Sequence, residues 1–329
     1  MPNASHMISL EQLNFLGGGL NRPECVLAHE SGRLFVSDCE GHGGVSILHP
    51  SGAVERIRAR DAPRPLHPNG IALEPGGTFL LADLGTEEGG VWRLAPSGEV
   101  EPVLLDVEGR ALPPTNYVHR DAQDRIWIAI STRLVPRHLA YRHDTADGFL
   151  VLMDSRGARI VADKLGYTNE CVVSPDGGHL YVNETFARRL SRFAIGAGGA
   201  LGSRETVATF GAGTFPDGLT FDAEGGLWVT SIVSNRVIRV APDGAQQVML
   251  EDCDDAHLAW VEQAYLAGEM GRPHLDGVKS RRLRNISSLA FGGPDLRTAY
   301  LGCLLGDAIA SFRSPVPGAP PAHWNHRVD

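Results

Sequence analysis

A repeated pattern of apolar and polar positions runs along most of the chain. In its clearest copy, the apolar segments 71–73 and 79–82 flank a Gly-rich turn. Copies of this pair open near residues 24, 69, 116, 169, 217 and 287. Two more strand-like segments follow most copies, such as 90–94 and 246–250. Four strands per copy and a period of roughly 40–50 residues are typical of a β-propeller. The sequence therefore predicts an all-β, six-bladed β-propeller with four-stranded blades.

Several segments lie outside this repeat. Residues 254–283 contain apolar positions at helical spacing, which predicts a short helix and a loop inserted before the last blade. A smaller polar insertion covers Tyr141–Asp147, and loops on a rigid scaffold commonly carry specificity. The segment Ile8–Phe15 is predicted to be a strand that completes the last blade and so closes the ring. The Pro-rich tail 314–329 is expected to pack as an extended segment.

The termini of the chain and its cysteines suggest the cellular compartment of the protein. Residues 1–6 resemble a cloning remnant, so one propeller domain is expected over 7–329. The N-terminus lacks the pattern of a signal peptide, and no apolar stretch approaches the 18 residues that a membrane span needs. Five cysteines without CxxC spacing favour reduced thiols. These features predict a cytoplasmic protein.

The net charge narrows the classes of partner. The 329 residues include 30 Lys and Arg and 39 Asp and Glu, for a formal charge of −9. This acidity argues against nucleic acid or an anionic membrane as the main partner. A small-molecule ligand in the propeller channel is the favoured alternative.

One polar residue opens the first strand of each copy, and the innermost strand of a propeller blade lines the central channel. The six aligned residues are Glu24, Asn69, Asn116, Asn169, Asp217 and Ser287. Asn-Gly and Asp-Gly pairs are common in turns, but their shared register favours a common function. Two carboxylates and three amides would be costly to bury together without a positive partner. The set predicts one divalent cation, Ca²⁺ first, with Mg²⁺, Mn²⁺ or Zn²⁺ as alternatives.

Four of these residues resemble the metal ligands of a known family. Glu24, Asn116, Asn169 and Asp217, each on a different blade, are similar to the ligand set of the senescence-marker-protein / gluconolactonase / luciferin-regenerating-enzyme family. The phrases at 169–177 and 216–229 also resemble motifs of that family. The resemblance covers about residues 17–324. It implies a six-bladed propeller with one catalytic cation on its axis, and a hydrolase acting on ester bonds, most members being lactonases.

The resemblance implies a role for Asp217, and the positions of other residues in the sequence suggest roles for them. Asp217 is the candidate general base or direct nucleophile, in addition to being a metal ligand. Asn69 is expected to contact the metal through water or to position the substrate. Further candidate substrate contacts are Tyr117, His67, His119 and Trp260.

This chain departs from the family pattern beside Asn116. Tyr117 follows Asn116 where an Asp is common, and Pro114 occupies the position of an arginine that contacts substrate in sugar lactonases. The loss of that cation predicts a lactone less polar than gluconolactone.

Three other functions remain open on the sequence alone. The related diisopropyl-fluorophosphatases use the same ligand types on phosphotriesters, so a phosphotriesterase-like or other ester hydrolase is the first alternative. A binding propeller with a structural cation is the second, because fold alone does not fix function. A strictosidine-synthase-like condensing enzyme is the third, although its catalytic Glu would not require the Asn-Asn-Asp set.

Overall fold

Six four-stranded antiparallel sheets follow one another around a ring, and their innermost strands are neighbours on its axis. A computed structural model describes residues 7–328. The arrangement confirms the predicted six-bladed propeller. In chain order the strands are β1 (Asn14–Leu16); β2 (Val26–Ala28), β3 (Leu34–Asp38), β4 (Gly44–Leu48) and β5 (Val54–Arg58) of blade one; β6 (Pro68–Leu73), β7 (Phe79–Asp83), β8 (Gly90–Leu94) and β9 (Val100–Leu104) of blade two; the hairpin β10 (Asp106–Val107) and β11 (Arg110–Ala111); β12 (Thr115–Arg120), β13 (Ile126–Ile130), β14 (Gly148–Asp154) and β15 (Gly157–Leu165) of blade three; β16 (Thr168–Val173), β17 (His179–Glu184), β18 (Arg189–Ala194) and β19 (Glu205–Thr209) of blade four; β20 (Phe215–Phe221), β21 (Leu227–Ile232), β22 (Arg236–Val240) and β23 (Gln246–Glu251) of blade five; and β24 (Ile286–Gly292), β25 (Thr298–Cys303) and β26 (Ile309–Arg313) of blade six.

Blade six joins the two ends of the chain. Strand β1 pairs with β26, with Asn14 opposite Ser311 and Leu16 opposite Ile309. This pairing confirms the predicted ring closure, and it covers an edge that would otherwise present unpaired backbone groups. The predicted strand Ile8–Phe15 was too long, because Leu10–Gln12 forms a 3₁₀ helix that the Ser9 side chain caps.

The axial residue of most blades lies in a β-bulge. In blade two the register shifts between Pro68 and Ile71, so that Asn69 and Gly70 together face one residue of β7. Register shifts at the same place occur in β12, β16, β20 and β24. A bulge breaks the alternation of side chains and re-aims them. It lets the axial residue and the residue after it lie at successive levels of the channel.

The insertion before blade six contains two helices rather than the one predicted: α1 (Asp255–Ala267) and α2 (Arg272–Asp276). Asp254 caps α1 by accepting from the His257 N–H at 2.8 Å, and Gly268, with φ 69°, ends it. No helix within residues 7–328 is both long and apolar enough to cross a membrane.

The C-terminal tail covers one end of the channel. Ala319, Pro321 and His323 line the pocket at that end, together with the inner strands. The tail is fixed there by backbone hydrogen bonds, including one from Glu30 N–H to the Trp324 carbonyl at 3.1 Å. The predicted remnant at residues 1–6 and the last residue lie outside the described part of the chain. All five cysteines, which fall within that part, are free thiols.

Gly70 provides a test of the bulge geometry. A Cβ at this position would lie 2.4 Å from Cδ2 and 2.8 Å from Cα of Tyr117. We expect Gly70→Ala to lower the free energy of unfolding by roughly 1–3 kcal/mol, because the backbone or the ring must move. Urea unfolding measures this. Gly18→Ala is the control, since its added Cβ would meet nothing within 4 Å. Equal stability of the two variants would contradict this account.

Candidate metal and substrate site

Five of the six aligned polar residues line one pocket at the end of the channel opposite the tail. They are Glu24, Asn69, Asn116, Asn169 and Asp217. None of these residues is more than 4% exposed. The cavity between these residues has a volume of about 40 Å³. The structure therefore brings together the four predicted metal ligands and Asn69.

Ser287, the sixth aligned residue, does not line this pocket. Its hydroxyl donates instead to the backbone carbonyl of Glu24 at 2.8 Å. Ser287 thus fixes the backbone that carries Glu24, which links blade six to blade one.

A chain of amide hydrogen bonds runs from blade to blade through the site. The Asn69 Nδ2 donates to Glu24 Oε1 at 2.8 Å and to the Asn116 carbonyl at 2.9 Å. The Asn116 Nδ2 donates to Asn169 Oδ1 at 2.6 Å, and the Asn169 Nδ2 donates to the Thr185 hydroxyl at 3.0 Å. Because the N–H groups are used in this way, the orientation of each amide is set by its neighbours.

Three oxygens of the site are buried without a donor. They are Oε2 of Glu24, Oδ1 of Asn69 and Oδ1 of Asp217, none of which has a hydrogen-bond partner within residues 7–328. Oδ1 of Asn169 accepts one hydrogen bond and has a further lone pair, whereas Oδ1 of Asn116 accepts from Arg137 Nη2 at 2.9 Å and from Asn69 Nδ2 at 3.4 Å. Leaving a buried acceptor unsatisfied costs roughly 1–3 kcal/mol. A cation held by Glu24 and Asp217 would satisfy the two carboxylate oxygens, and a water molecule bound beside it would satisfy the Asn69 oxygen.

The donor set is one of carboxylates and amides. Among residues 7–328, no three His, Cys, Asp or Glu side chains form a group that could hold a metal ion. The fit to a hard cation such as Ca²⁺ rests instead on two carboxylates together with the amide oxygens of the asparagines, which are the ligand type that this cation prefers.

The two carboxylates of the pocket resist ionisation in the absence of a cation. Burial raises the pKa of Asp217 well above its ordinary range, and the nearby Glu24 carboxylate raises it further. Burial also raises the pKa of Glu24, although Arg22 and Arg137 oppose that shift. Two buried like charges favour a proton or a metal ion between them.

Glu170 is a third buried carboxylic acid that the sequence analysis missed. It follows Asn169 in the bulge of β16 and lies one level deeper in the channel. Its Oε2 accepts from the Leu219 N–H at 2.9 Å, and burial followed by the charge of Glu24 raises its pKa well above the ordinary value. A charged residue at the start of an otherwise apolar strand was the signal that could have revealed it.

Three arginines also line the pocket, although the sequence pattern had not predicted any of them as site residues. They are Arg22, Arg137 and Arg272. Arg137 lies on a 3₁₀ helix in the loop after β13, where Nε donates to the Tyr167 hydroxyl at 2.7 Å and Nη2 donates to Asn116 Oδ1 at 2.9 Å. Twenty-one residues separate Arg137 from Asn116, so no local pattern could have paired them.

These arginines remove the basis for predicting a weakly polar substrate. That expectation rested on Pro114, which replaces an arginine, and on Tyr117 as a pocket residue. In the structure Tyr117 does not line the pocket, and cationic side chains reach it from three other segments. The pocket is therefore suited to a polar ligand.

Aromatic side chains and the insertion form the pocket walls. The rings of Tyr141, Tyr167 and Phe186 pack with centroids 4.6–5.5 Å apart. Helix α2 contributes Arg272 and Leu275 to the lining.

Helix α1 anchors the insertion to the ring. Its Tyr265 hydroxyl donates to the Phe186 carbonyl at 2.7 Å. Its Glu262 pairs with Arg188, whose guanidinium lies 3.9 Å from the Tyr265 ring centroid. The insertion is thus a wall that is fixed to blades four and five by both apolar and ionic contacts.

Four predicted substrate contacts lie away from this pocket. Tyr117 and His119 line the tail end of the channel, where His119 Nε2 accepts from the Val173 N–H at 3.4 Å. His67 is exposed on the loop before β6, and Trp260 is 46% exposed and stacks on His274. Their roles in substrate binding remain predictions that these positions do not support.

The sequence also identifies the protein family. The model of the SMP-30/Gluconolactonase/LRE-like region matches residues 22–251, which is more than half of the chain. The chain belongs to this family. A 6-deoxy-6-sulfogluconolactonase of Pseudomonas putida is 29% identical over 213 residues. That alignment covers 60% of this chain and 60% of the relative, so less than two thirds of the relative's length is matched.

Solved structures of other proteins share the fold. A luciferin-regenerating enzyme superposes with a TM-score of 0.65 and 17% identity, covering 93% of this chain and 95% of that one. A calcium-binding protein called regucalcin from Agrobacterium tumefaciens superposes with a TM-score of 0.59 and 17% identity, covering 92% and 97%. At these identities the similarity establishes only the propeller fold. The chemistry must be inferred from the residues of the pocket.

The repulsion between the pocket carboxylates has a measurable consequence. Because the folded protein holds protons that the unfolded chain releases, the stability of metal-free protein should fall as pH rises from about 4 toward the raised pKa of Asp217. Asp217→Asn removes one of the repelling charges. We expect its metal-free form to lose less stability over this pH range than the wild type does, as measured by thermal unfolding.

Calcium addition completes this test. Ca²⁺ should raise the melting temperature of the wild type and of Asp106→Asn, an exposed control, but should have little effect on Asp217→Asn. An equal shift in all three proteins would place the cation elsewhere.

Proposed function

We propose that this protein is a divalent-cation-dependent lactonase, a hydrolase that opens a cyclic ester. The observation that carries the proposal is a set of buried oxygens at the floor of a polar pocket, on Glu24, Asn69 and Asp217, that have no hydrogen-bond partner among residues 7–328. Membership of the SMP-30/gluconolactonase family and the similarity to a sulfogluconolactonase support the reaction class. A small-molecule lactone is the corresponding partner.

Glu24, Asn116, Asn169 and Asp217 are the residues proposed to hold the cation. Ca²⁺ is the first candidate, because the donors are all oxygens and a propeller of the same fold is described as calcium-binding. When bound, such a cation polarises the lactone carbonyl and stabilises the negative charge that develops on its oxygen.

Asp217 is proposed to act as the general base, and then as the general acid, in this reaction. Through the carboxylate oxygen that does not hold the cation, Asp217 would accept a proton from a water molecule, whose oxygen then bonds to the lactone carbonyl carbon. As the ring C–O bond breaks, the same proton passes to the departing alkoxide and gives a hydroxy acid. Direct attack by Asp217 on the carbonyl carbon is the alternative within this proposal.

The surrounding residues would orient the substrate and limit the access of water. Arg137 holds the side chain of Asn116, and Tyr167 in turn holds Arg137. The aromatic wall of Tyr141, Tyr167 and Phe186 offers apolar faces for the carbon skeleton of the substrate. The five free cysteines support a reducing compartment such as the cytoplasm as the place of the reaction.

Asp217→Asn tests the chemical role of this residue. We expect lactone hydrolysis, measured as acid release in a pH-stat, to fall by roughly 100-fold or more. The replacement keeps the shape of the side chain but loses both a ligand of the cation and the proton acceptor. Chelation should abolish wild-type activity, and Ca²⁺ should restore it. Asp106→Asn should retain full activity. Near-normal turnover by Asp217→Asn with an intact fold would refute the assignment.

A substrate panel separates the alternative functions. Lactones, linear esters and phosphotriesters should be assayed with and without chelator. Faster hydrolysis of phosphotriesters than of any lactone would favour the phosphotriesterase-like alternative. Unfolding on chelation, with no hydrolysis of any member of the panel, would favour a binding propeller with a structural cation.

A further inference from the structure

Two arginines of the pocket have buried nitrogens that face no acceptor. Nη1 of Arg22 and Nη1 of Arg137 are both shielded from solvent and make no hydrogen bond to any of the residues the structure describes. Both side chains line the pocket that contains Glu24 and Asp217. A buried guanidinium N–H without an acceptor is costly, and the cost is larger than for a neutral donor.

The charge balance of the pocket shows when an acceptor is needed. When both carboxyl groups are ionised, the negative charges of Glu24 and Asp217 match the positive charges of Arg22 and Arg137. Arg272 adds no net charge because it pairs with Asp276 at 2.6 Å. Once a divalent cation neutralises the two carboxylates, however, the pair of arginines is left with two positive charges that nothing else in the pocket balances.

We propose that the substrate carries its own anionic group, a carboxylate or sulfonate, which Arg22 and Arg137 bind while the lactone ring lies at the carboxylate–amide floor. This inference rests on the proposed lactonase function and specifies its substrate class. Arginine suits this task because its planar N–H groups match the oxygens of such anions.

The neighbours of Arg137 prepare it for this role. Its Nε and Nη2 are already held by Tyr167 and Asn116, so that Nη1 is the nitrogen left for a ligand. A guanidinium fixed on two sides loses little further freedom when it binds an anion. The charge balance also predicts that the anion and the cation bind cooperatively, since each cancels charge left by the other.

A matched pair of lactones tests the proposal. D-Glucaro-1,4-lactone and D-glucono-1,4-lactone differ at C6, where the first has a carboxylate and the second a CH₂OH group. We expect the wild type with Ca²⁺ to show a higher kcat/KM for the acidic lactone, mainly through a lower KM. Arg137→Met and Arg22→Met should each reduce this preference by roughly 10- to 100-fold, as expected for the loss of a charge-assisted hydrogen bond.

The control is Arg110→Met, which removes an exposed arginine of the hairpin β10–β11 and should keep the wild-type preference. A preference near one in the wild type, or one unchanged in both pocket variants, would overturn the proposal. Inhibition by gluconate that the pocket variants relieve, without any preference between the lactones, would also overturn it. That result would assign the arginines to the carboxylate formed on ring opening.

Calorimetry separates this proposal from the lactonase assignment. If neither lactone is hydrolysed, the lactonase function fails for this pair, but binding of D-glucaro-1,4-lactone can still be measured with and without Ca²⁺. Calcium-enhanced binding that is weakened in Arg22→Met and Arg137→Met would still support the anion site. No difference between the acidic and neutral lactones in binding would reject it.

Discussion

The close burial of Glu24 and Asp217 on the propeller axis is the constraint on which the site depends. Burial raises the pKa of both carboxyl groups, and the charge of Glu24 raises that of Asp217 further. Each group also has an oxygen without a donor among the described residues. Such an arrangement costs stability when nothing positive binds to it. The six-bladed ring can hold the two groups together because its stability comes from apolar packing within and between blades.

The bulges in the inner strands direct polar side chains into the channel and so form the pocket. A regular strand would send successive side chains to opposite faces, whereas the bulge lets Asn169 reach the pocket and Glu170 the level below it. Gly70 has a related role, because the absence of a side chain there makes room for the ring of Tyr117. The turn-like pairs Asn-Gly and Asp-Gly in the sequence thus reflect bulges and close packing inside the channel.

The parts that would recognise a substrate come from segments outside the repeat. The loop after β13 supplies Arg137 and Tyr141, and the insertion before blade six supplies Arg272 and Leu275. The two segments also contact each other, through Arg142 and the Gly268 carbonyl. A floor built from axial strand residues, with walls built from loops, allows one propeller scaffold to serve different ligands.

The sequence by itself determined the ring and its axis. The repeat predicted six blades and aligned Glu24, Asn116, Asn169 and Asp217. This was possible because the alternation of apolar strands and turns is visible in short stretches of sequence. The arginines, the aromatic wall and the displacement of Tyr117 and His119 from the pocket were decided only by the tertiary structure. Those features depend on which loops meet above the channel and on the direction in which each bulge points its two side chains. The spacing of residues along the chain determines neither of these.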